Sequence, residues 1–168
     1  MADAQHWIRK LGLKRHSEGG WYRETYRSPD YLPSSSLPER YIGRRPFATA
    51  IYFLLDAHEV SRFHRLQSDE LWHFYDGTGL TLHFLHPDGS HTAARLGRRE
   101  SRNGRFQTLV PRGVWMGALV EDPHGYALAG CTVAPGFEFN DFELGSRPDL
   151  LVQYPRHRKL IERLTNPA

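Results

Sequence analysis

A chain of 168 residues, 39% of them apolar, holds material for one ordinary core, and a domain of this length hides roughly 68–70% of its unfolded surface, so one domain spanning residues 1–168 is expected. The lone cysteine, Cys131, excludes an internal disulfide, and its apolar neighbours in "YALAGCTVAP" mark it as an inert buried thiol. No apolar run reaches the ~18 residues of a membrane span, and "MADAQHWIRKLGLKRH" has no signal-peptide core, so a cytoplasmic protein without a membrane partner is expected.

In chain order, Asp3 can cap a short helix whose apolar side is Trp7, Ile8 and Leu11 and which stops at Gly12. The paired glycines Gly19 and Gly20 then let the chain turn sharply into "WYRETYRS". Strict alternation there places Tyr22, Glu24 and Tyr26 on one face and Arg23, Thr25 and Arg27 on the other. After a Pro/Ser-rich loop come eight short β-like runs: "FATAIYFLL", "SRFHRL", "ELWHFYDG", "LTLHFLH", "HTAARLG", "FQTLVP", "GVWMGALV" and "YALAGCTVAP". Turn chemistry such as "PDGS", "SRNG" and "EDPHG" separates most of them, and this spacing implies an all-β antiparallel barrel or two-sheet jelly roll. The barrel core is placed at about 20–145. A helical tail follows at about 146–168, with Pro148 and Pro155 near helix starts.

The formal charge is only +3, carried mainly by arginine, and the densest basic cluster is "RLGRRESRNGR". A nucleic-acid face interleaves such charge with stacking aromatics, whereas here the nearest aromatic is Phe106. Asn103-Gly104 within the cluster is a type I′ turn signal, so a solvated hairpin is expected and no nucleic-acid partner.

The chemistry concentrates in "FHRLQSDELWHFYDG". Alternate residues of a strand share a face, so Glu70, Trp72 and Phe74 point one way, and His64 and Leu66 pair likewise on the preceding strand. His64, Leu66, Glu70 and Gly77 resemble the first motif of the cupin superfamily, H-x-H-x3-E-x6-G, with leucine in place of the second histidine. "PRGVWM" resembles the second motif, P-x-G-x2-H, with Met116 at the position of the last ligand. Together "EGGWYRETYRS", "FHRLQSDELWHFYDG", "LVPRGVWMG" and "GCTVAPGFEFNDFELG" are similar to the DUF985 (cupin-5) group. That resemblance implies a double-stranded β-helix with short terminal helices, a homodimer, and a fold-level analogy to sugar-nucleotide epimerases.

Divalent first-row metals in such a barrel want about three imidazoles and a carboxylate, which Leu66 and Met116 do not supply. No metal cofactor is therefore expected, a divalent ion at His64 and Glu70 being the weaker alternative. His73 has the opposite parity to Glu70 and reads as a hydrogen-bonded histidine on the outer face or at a subunit interface. What remains is an imidazole and a carboxylate, His64 and Glu70, as catalytic candidates for proton transfer on a small polar or sugar-like molecule. Trp72, Phe74, Trp115 and Met116 are candidate cavity walls, and Arg23, Glu24 and Tyr26 further ligand contacts. The competing readings are a binding or sensor module without turnover, a metal-dependent cupin enzyme, and a purely structural Glu70 paired with Arg62 or Arg112. "GFEFNDFELG" reads as a strand or loop with a solvated acidic face, anchored by Phe142 and Leu144.

Overall fold

The structure is a computed structural model describing residues 3–98 and 103–167. Helix α1, Ala4–Leu11, begins where the Asp3 carboxylate accepts the His6 N–H at 2.7 Å and ends at Gly12 in the left-handed conformation, as its capping residues require. The strands follow as β1 (Lys14–Arg15), β2 (Trp21–Arg27), β3 (Tyr31–Leu32), β4 (Arg45–Pro46), β5 (Thr49–Asp56), β6 (Val60–Arg65) and β7 (Asp69–Gly77). Next come β8 (Leu80–Leu85), β9 (His91–Leu96), β10 (Gln107–Val110), β11 (Trp115–Leu119), β12 (Tyr126–Ala134) and β13 (Glu143–Leu144). The chain closes with α2 (Arg147–Gln153) and α3 (Arg158–Arg163), Pro148 and Pro155 lying near the starts of helical turns.

Two antiparallel sheets face each other in the order β1-β2-β5-β12-β7-β10 and β13-β6-β11-β8-β9, the jelly roll that the strand spacing implied. Inward residues of both sheets make the core: Phe53 and Leu55, Trp72 and Phe74, Leu82 and Phe84, Met116 and Ala118, Ala129 and Cys131. Alternation explains this arrangement, since each pair is two residues apart on one strand. Strands β5 and β11 are apolar on both faces, and the helices account for it. Helix α1 packs Ala4 and Ile8 over Leu54 and Leu128 outside the first sheet. The tail packs Leu150, Tyr154, Ile161 and Leu164 over Phe63, Trp115 and Leu119 outside the second.

Among the described residues three register shifts redirect side chains, the first in β6 against β11, where Met116 faces His64 and Ala118 faces Ser61. In the pairing of β2 with β5, Glu24 faces Ile51 and Tyr26 faces Ala50, so Thr25 is the extra residue and the alternation reverses after it. Between β7 and β12, Phe74 faces Ala129 and Asp76 faces Leu128. Asp76 thereby turns outward, where it accepts from Trp7 Nε1 at 3.0 Å and from the Tyr126 hydroxyl at 2.7 Å.

The hairpin expected at Asn103-Gly104 is not formed. Asn103 is left-handed, with φ of 61°, but β9 and β10 flank the segment in different sheets, so the connection is a crossover. The arginines in the middle of that basic cluster lie outside the described residues.

Candidate functional site

Between the sheets lies a cavity of about 340 Å³, lined by β2, β5, β6, β7 and β12 together with two irregular segments. The first segment, 14–18, runs from the short strand β1 into the turn before β2. The second, 137–142, crosses the opening as an aromatic roof of Phe137, Phe139 and Phe142. The sheets contribute Tyr22, Ile51, Phe53, Leu66 and Trp72 as apolar walls.

Glu70 and His64 both line the cavity and both are buried, as their positions in the motif predicted. Glu70 Oε2 accepts from Trp72 Nε1 at 2.8 Å, and the Cys131 side chain lines the cavity beside it. Burial raises the Glu70 pKa to about 7, against the opposing pull of His64. Among the described residues no arginine pairs with it. Arg62 Nη1 donates to the Glu18 carbonyl at 3.1 Å, and the Arg112 backbone N–H goes to Asp69 at 2.8 Å. Cys131 stays a thiol, its pKa pushed well up by burial and by the neighbouring carboxyl groups.

His64 stacks on Phe142, with ring centroids 5.4 Å apart and planes 26° from parallel. Its Nδ1 donates to the Arg62 carbonyl at 2.7 Å, and its Nε2 lies 3.3 Å from Glu18 Oε2. Burial lowers its pKa.

Glu18 and His16 were not singled out from the sequence, yet they complete the floor. Glu18 is 5% exposed; Ser61 Oγ donates to its Oε1 at 2.7 Å, and Oε2 also lies 3.3 Å from His16 Nδ1. Burial raises the Glu18 pKa and lowers that of His16. The backbone explains the placement. The Arg62 N–H donates to the Glu18 carbonyl at 2.8 Å, and at Gly19, with φ of 109°, a Cβ would overlap the Val60 carbonyl. Only glycine permits this close approach, which draws Glu18 onto β6.

Of the other sequence candidates, Trp72 lines the cavity, and Glu24 stands at its rim in a network with Arg27 and Glu138: Arg27 Nη2–Glu24 Oε2 is 2.9 Å and Arg27 Nη1–Glu138 Oε1 is 2.7 Å. Arg23 contributes to the rim, but its guanidinium lies over the Tyr52 ring, 5.8 Å from the centroid. Four candidates stand elsewhere. Tyr26 is turned to the outer face by the bulge at Thr25 and is 51% exposed. Phe74 and Met116 are buried in the core and do not line the cavity. Trp115 faces outward beneath the C-terminal helices, with the Arg65 guanidinium 4.5 Å over its ring. His73 is the outer-face histidine expected, bonded to Thr132 at 3.2 Å and Gln107 at 3.1 Å.

The acidic segment departs from its solvated reading. Asp141 is buried against Arg45, Glu138 meets Arg27, and Phe142 lies over the cavity. Leu144 is 36% exposed on β13, which pairs with β6 at His64.

The superfamily's metal does not fit this donor set. Leu66 occupies one ligand position within the lining, Met116 another within the core, and the described residues contain no group of three or more His, Cys, Asp or Glu disposed to hold an ion.

Residues 5–145 match the family model described as Cupin superfamily (DUF985). The "Uncharacterized protein YML079W" of Saccharomyces cerevisiae is 28% identical over 151 residues, covering 83% of this chain and 74% of that protein. Among solved structures, protein SO0799 from Shewanella oneidensis is 41% identical with a TM-score of 0.90, covering 100% of both chains. A hypothetical protein from Leishmania major is 32% identical with a TM-score of 0.88, covering 99% of this chain and 100% of that one. By this match and by the jelly roll described above, the chain belongs to the DUF985 (Cupin_5) family of the cupin superfamily.

Proposed function

We propose that the barrel binds a small, neutral, sugar-like carbonyl compound and moves a proton on it, as an isomerase or epimerase does. The observation that carries this reading is the buried Glu70 carboxyl on the floor of an aromatic-walled cavity, with a pKa of about 7. A group half-protonated near neutral pH gives and takes a proton with comparable ease. Its neutral form also suits an uncharged ligand better than an anion. Tyr22, Phe53, Trp72 and Phe142 line the cavity with aromatic surface suited to the C–H groups of a sugar, and the His64 side of the floor supplies the second polar group. The cavity volume, about 340 Å³, falls at the small end of ordinary ligand sites.

The test is a panel of pentoses, hexoses and their keto forms, scored first by thermal shift and then by deuterium uptake at the carbon next to the carbonyl. Binding with uptake in the wild type, and binding without uptake in Glu70→Gln, is the expected result. Failure of every sugar to bind overturns the reading. Binding without uptake in the wild type leaves the non-catalytic binding module, which the Trp72 hydrogen bond to Glu70 favours by occupying one carboxyl oxygen.

A further inference from the structure

His64 was the obvious second proton carrier, but its hydrogen bonds leave it no nitrogen to offer. Nδ1 donates to the Arg62 carbonyl at 2.7 Å, since a carbonyl can only accept. Nε2 faces Glu18 Oε2 at 3.3 Å. His16 is equally constrained: its Nδ1 accepts the Glu18 backbone N–H at 3.2 Å, so that nitrogen carries no proton and the ring is the neutral Nε2–H tautomer. The same Nδ1 lies 3.3 Å from Glu18 Oε2. Oε2 therefore sits between two imidazole nitrogens, one with a bare lone pair and the other with no proton unless His64 is charged. A carboxylate oxygen there repels the first nitrogen, whereas a protonated oxygen satisfies the arrangement by donating to His64. The other oxygen, Oε1, accepts from Ser61 at 2.7 Å, as the carbonyl oxygen of a neutral acid does. Complete burial of Glu18 and His64 also disfavours the charged pair over the neutral one.

We propose that Glu18 is a neutral carboxylic acid and, with Glu70, one of the two proton-carrying groups of the cavity, while His64 and His16 are positioning residues that hold its proton on Oε2. The placement of the proton stands on the hydrogen bonds alone; its catalytic use rests on the isomerase reading above. In that use Glu70, as carboxylate, takes the proton from the carbon next to the carbonyl. The C–H electron pair becomes a C=C bond, the carbonyl π pair moves to oxygen, and Glu18 gives up its hydrogen bond to His64 and delivers that proton to the carbonyl oxygen, giving a neutral enediol. Reversal of both transfers at the product carbon and oxygen restores Glu70 as the carboxylate and Glu18 as the acid. Glu18 thus supplies the polarisation of the carbonyl that a cupin metal would otherwise give.

Infrared difference spectroscopy of wild type against Glu18→Gln at pH 8 reads the proton directly. The expected difference is the carbonyl stretch of a protonated carboxylic acid, with neutral imidazoles in 15N NMR: Nδ1–H on His64 and Nε2–H on His16. Carboxylate bands, or an imidazolium at either histidine, overturn the proposal. Glutamine can keep both hydrogen bonds, accepting from Ser61 and donating to His64, so the variant is expected to fold and to retain any sugar that the wild type binds. Its deuterium uptake should fall at least about 100-fold, the usual scale for a lost general acid; uptake within a few-fold of wild type overturns the catalytic role. If no sugar binds at all, the sugar reading fails, and the infrared band still decides the state of Glu18.

Discussion

The buried guanidinium of Arg45 grips Asp141 with two parallel hydrogen bonds, Nε to Oδ2 at 2.7 Å and Nη2 to Oδ1 at 2.6 Å, while Nη1 donates to the Ile42 and Arg44 carbonyls at 2.8 Å each. The pair ties the loop before β4 to the short helical turn Phe139–Asp141, and so fixes the roof from one side. Arg27 and Glu138 hold it from the other. Removing one member of such a pair leaves a buried charge without its partner. Asp141→Ala is expected to cost about 3–5 kcal/mol, which for a chain of this size lowers the melting temperature by roughly 6–20 °C. Thermal and urea denaturation measure it; a loss under about 1 kcal/mol contradicts the assignment.

Glu70 behaves differently, because it is a raised acid and not half of an ion pair. Its pKa rises from an ordinary 4.5 to about 7 on folding, so between these values the folded state binds more protons than the unfolded. Its contribution is full below about pH 4.5 and is lost as pH climbs through 7, a change of roughly 3 kcal/mol. Glu70→Gln keeps an acceptor for Trp72 Nε1 and carries no charge. It is expected to melt close to wild type at pH 5 and above it at pH 8, where the wild type must hold a buried carboxylate. Melts of both proteins at the two pH values check this, and a lower melting temperature for the variant at pH 8 contradicts it.

For metal, the expectation is well under one equivalent of iron, manganese, nickel or zinc per chain by elemental analysis after gentle purification. Met116 pairs with His64 across neighbouring strands, and Leu66 lies in the cavity wall. The double variant Leu66→His, Met116→His therefore restores the motif's donor set beside His64 and Glu70, and should take up about one divalent ion. An equivalent of metal in the wild type, or none in the variant, contradicts this account.

The homodimer implied by the family resemblance has a surface at hand on the outer face of the first sheet. Tyr26, Tyr75 and Leu109 are each about half exposed there, and Tyr52 meets Tyr75 edge to face at 6.0 Å. Light scattering at micromolar concentration should give the dimer mass, and Tyr75→Glu should halve it. A monomeric wild type sinks the expectation.

The strands were legible because period-two alternation writes the inward face directly into the sequence, and His64, Glu70 and Trp72 followed from it. Alternation misplaced Trp115 because β11 is covered on both sides, by the core and by the tail, so an apolar residue of either parity looks internal. It misplaced Tyr26 because one extra residue reverses the pattern without any change in composition. Phe74 and Met116 point inward as read, but they belong to the packed core and not to the open part of the barrel. Glu18 and His16 were illegible for a different reason. They lie in irregular chain with no period to read, and the available signal was a charged residue immediately before two glycines that press the backbone onto a strand.

The bulge at Thr25 has a consequence for how this strand tolerates change in length. Upstream of it Glu24 shares the cavity side, and downstream of it Arg27 does, so the two opposite charges meet only because one residue is looped out between them. Deletion of Thr25 would remove only the looped-out residue and leave this register intact, with Glu24 still facing Ile51, Tyr26 facing Ala50 and Arg27 facing Thr49. Only if Thr25 joined the regular alternation would Tyr26 enter and Arg27 leave, separating Arg27 from Glu24 and Glu138. The entrance therefore tolerates a one-residue gap at Thr25, and it is loss of the bulge with the residue retained that would rewire it.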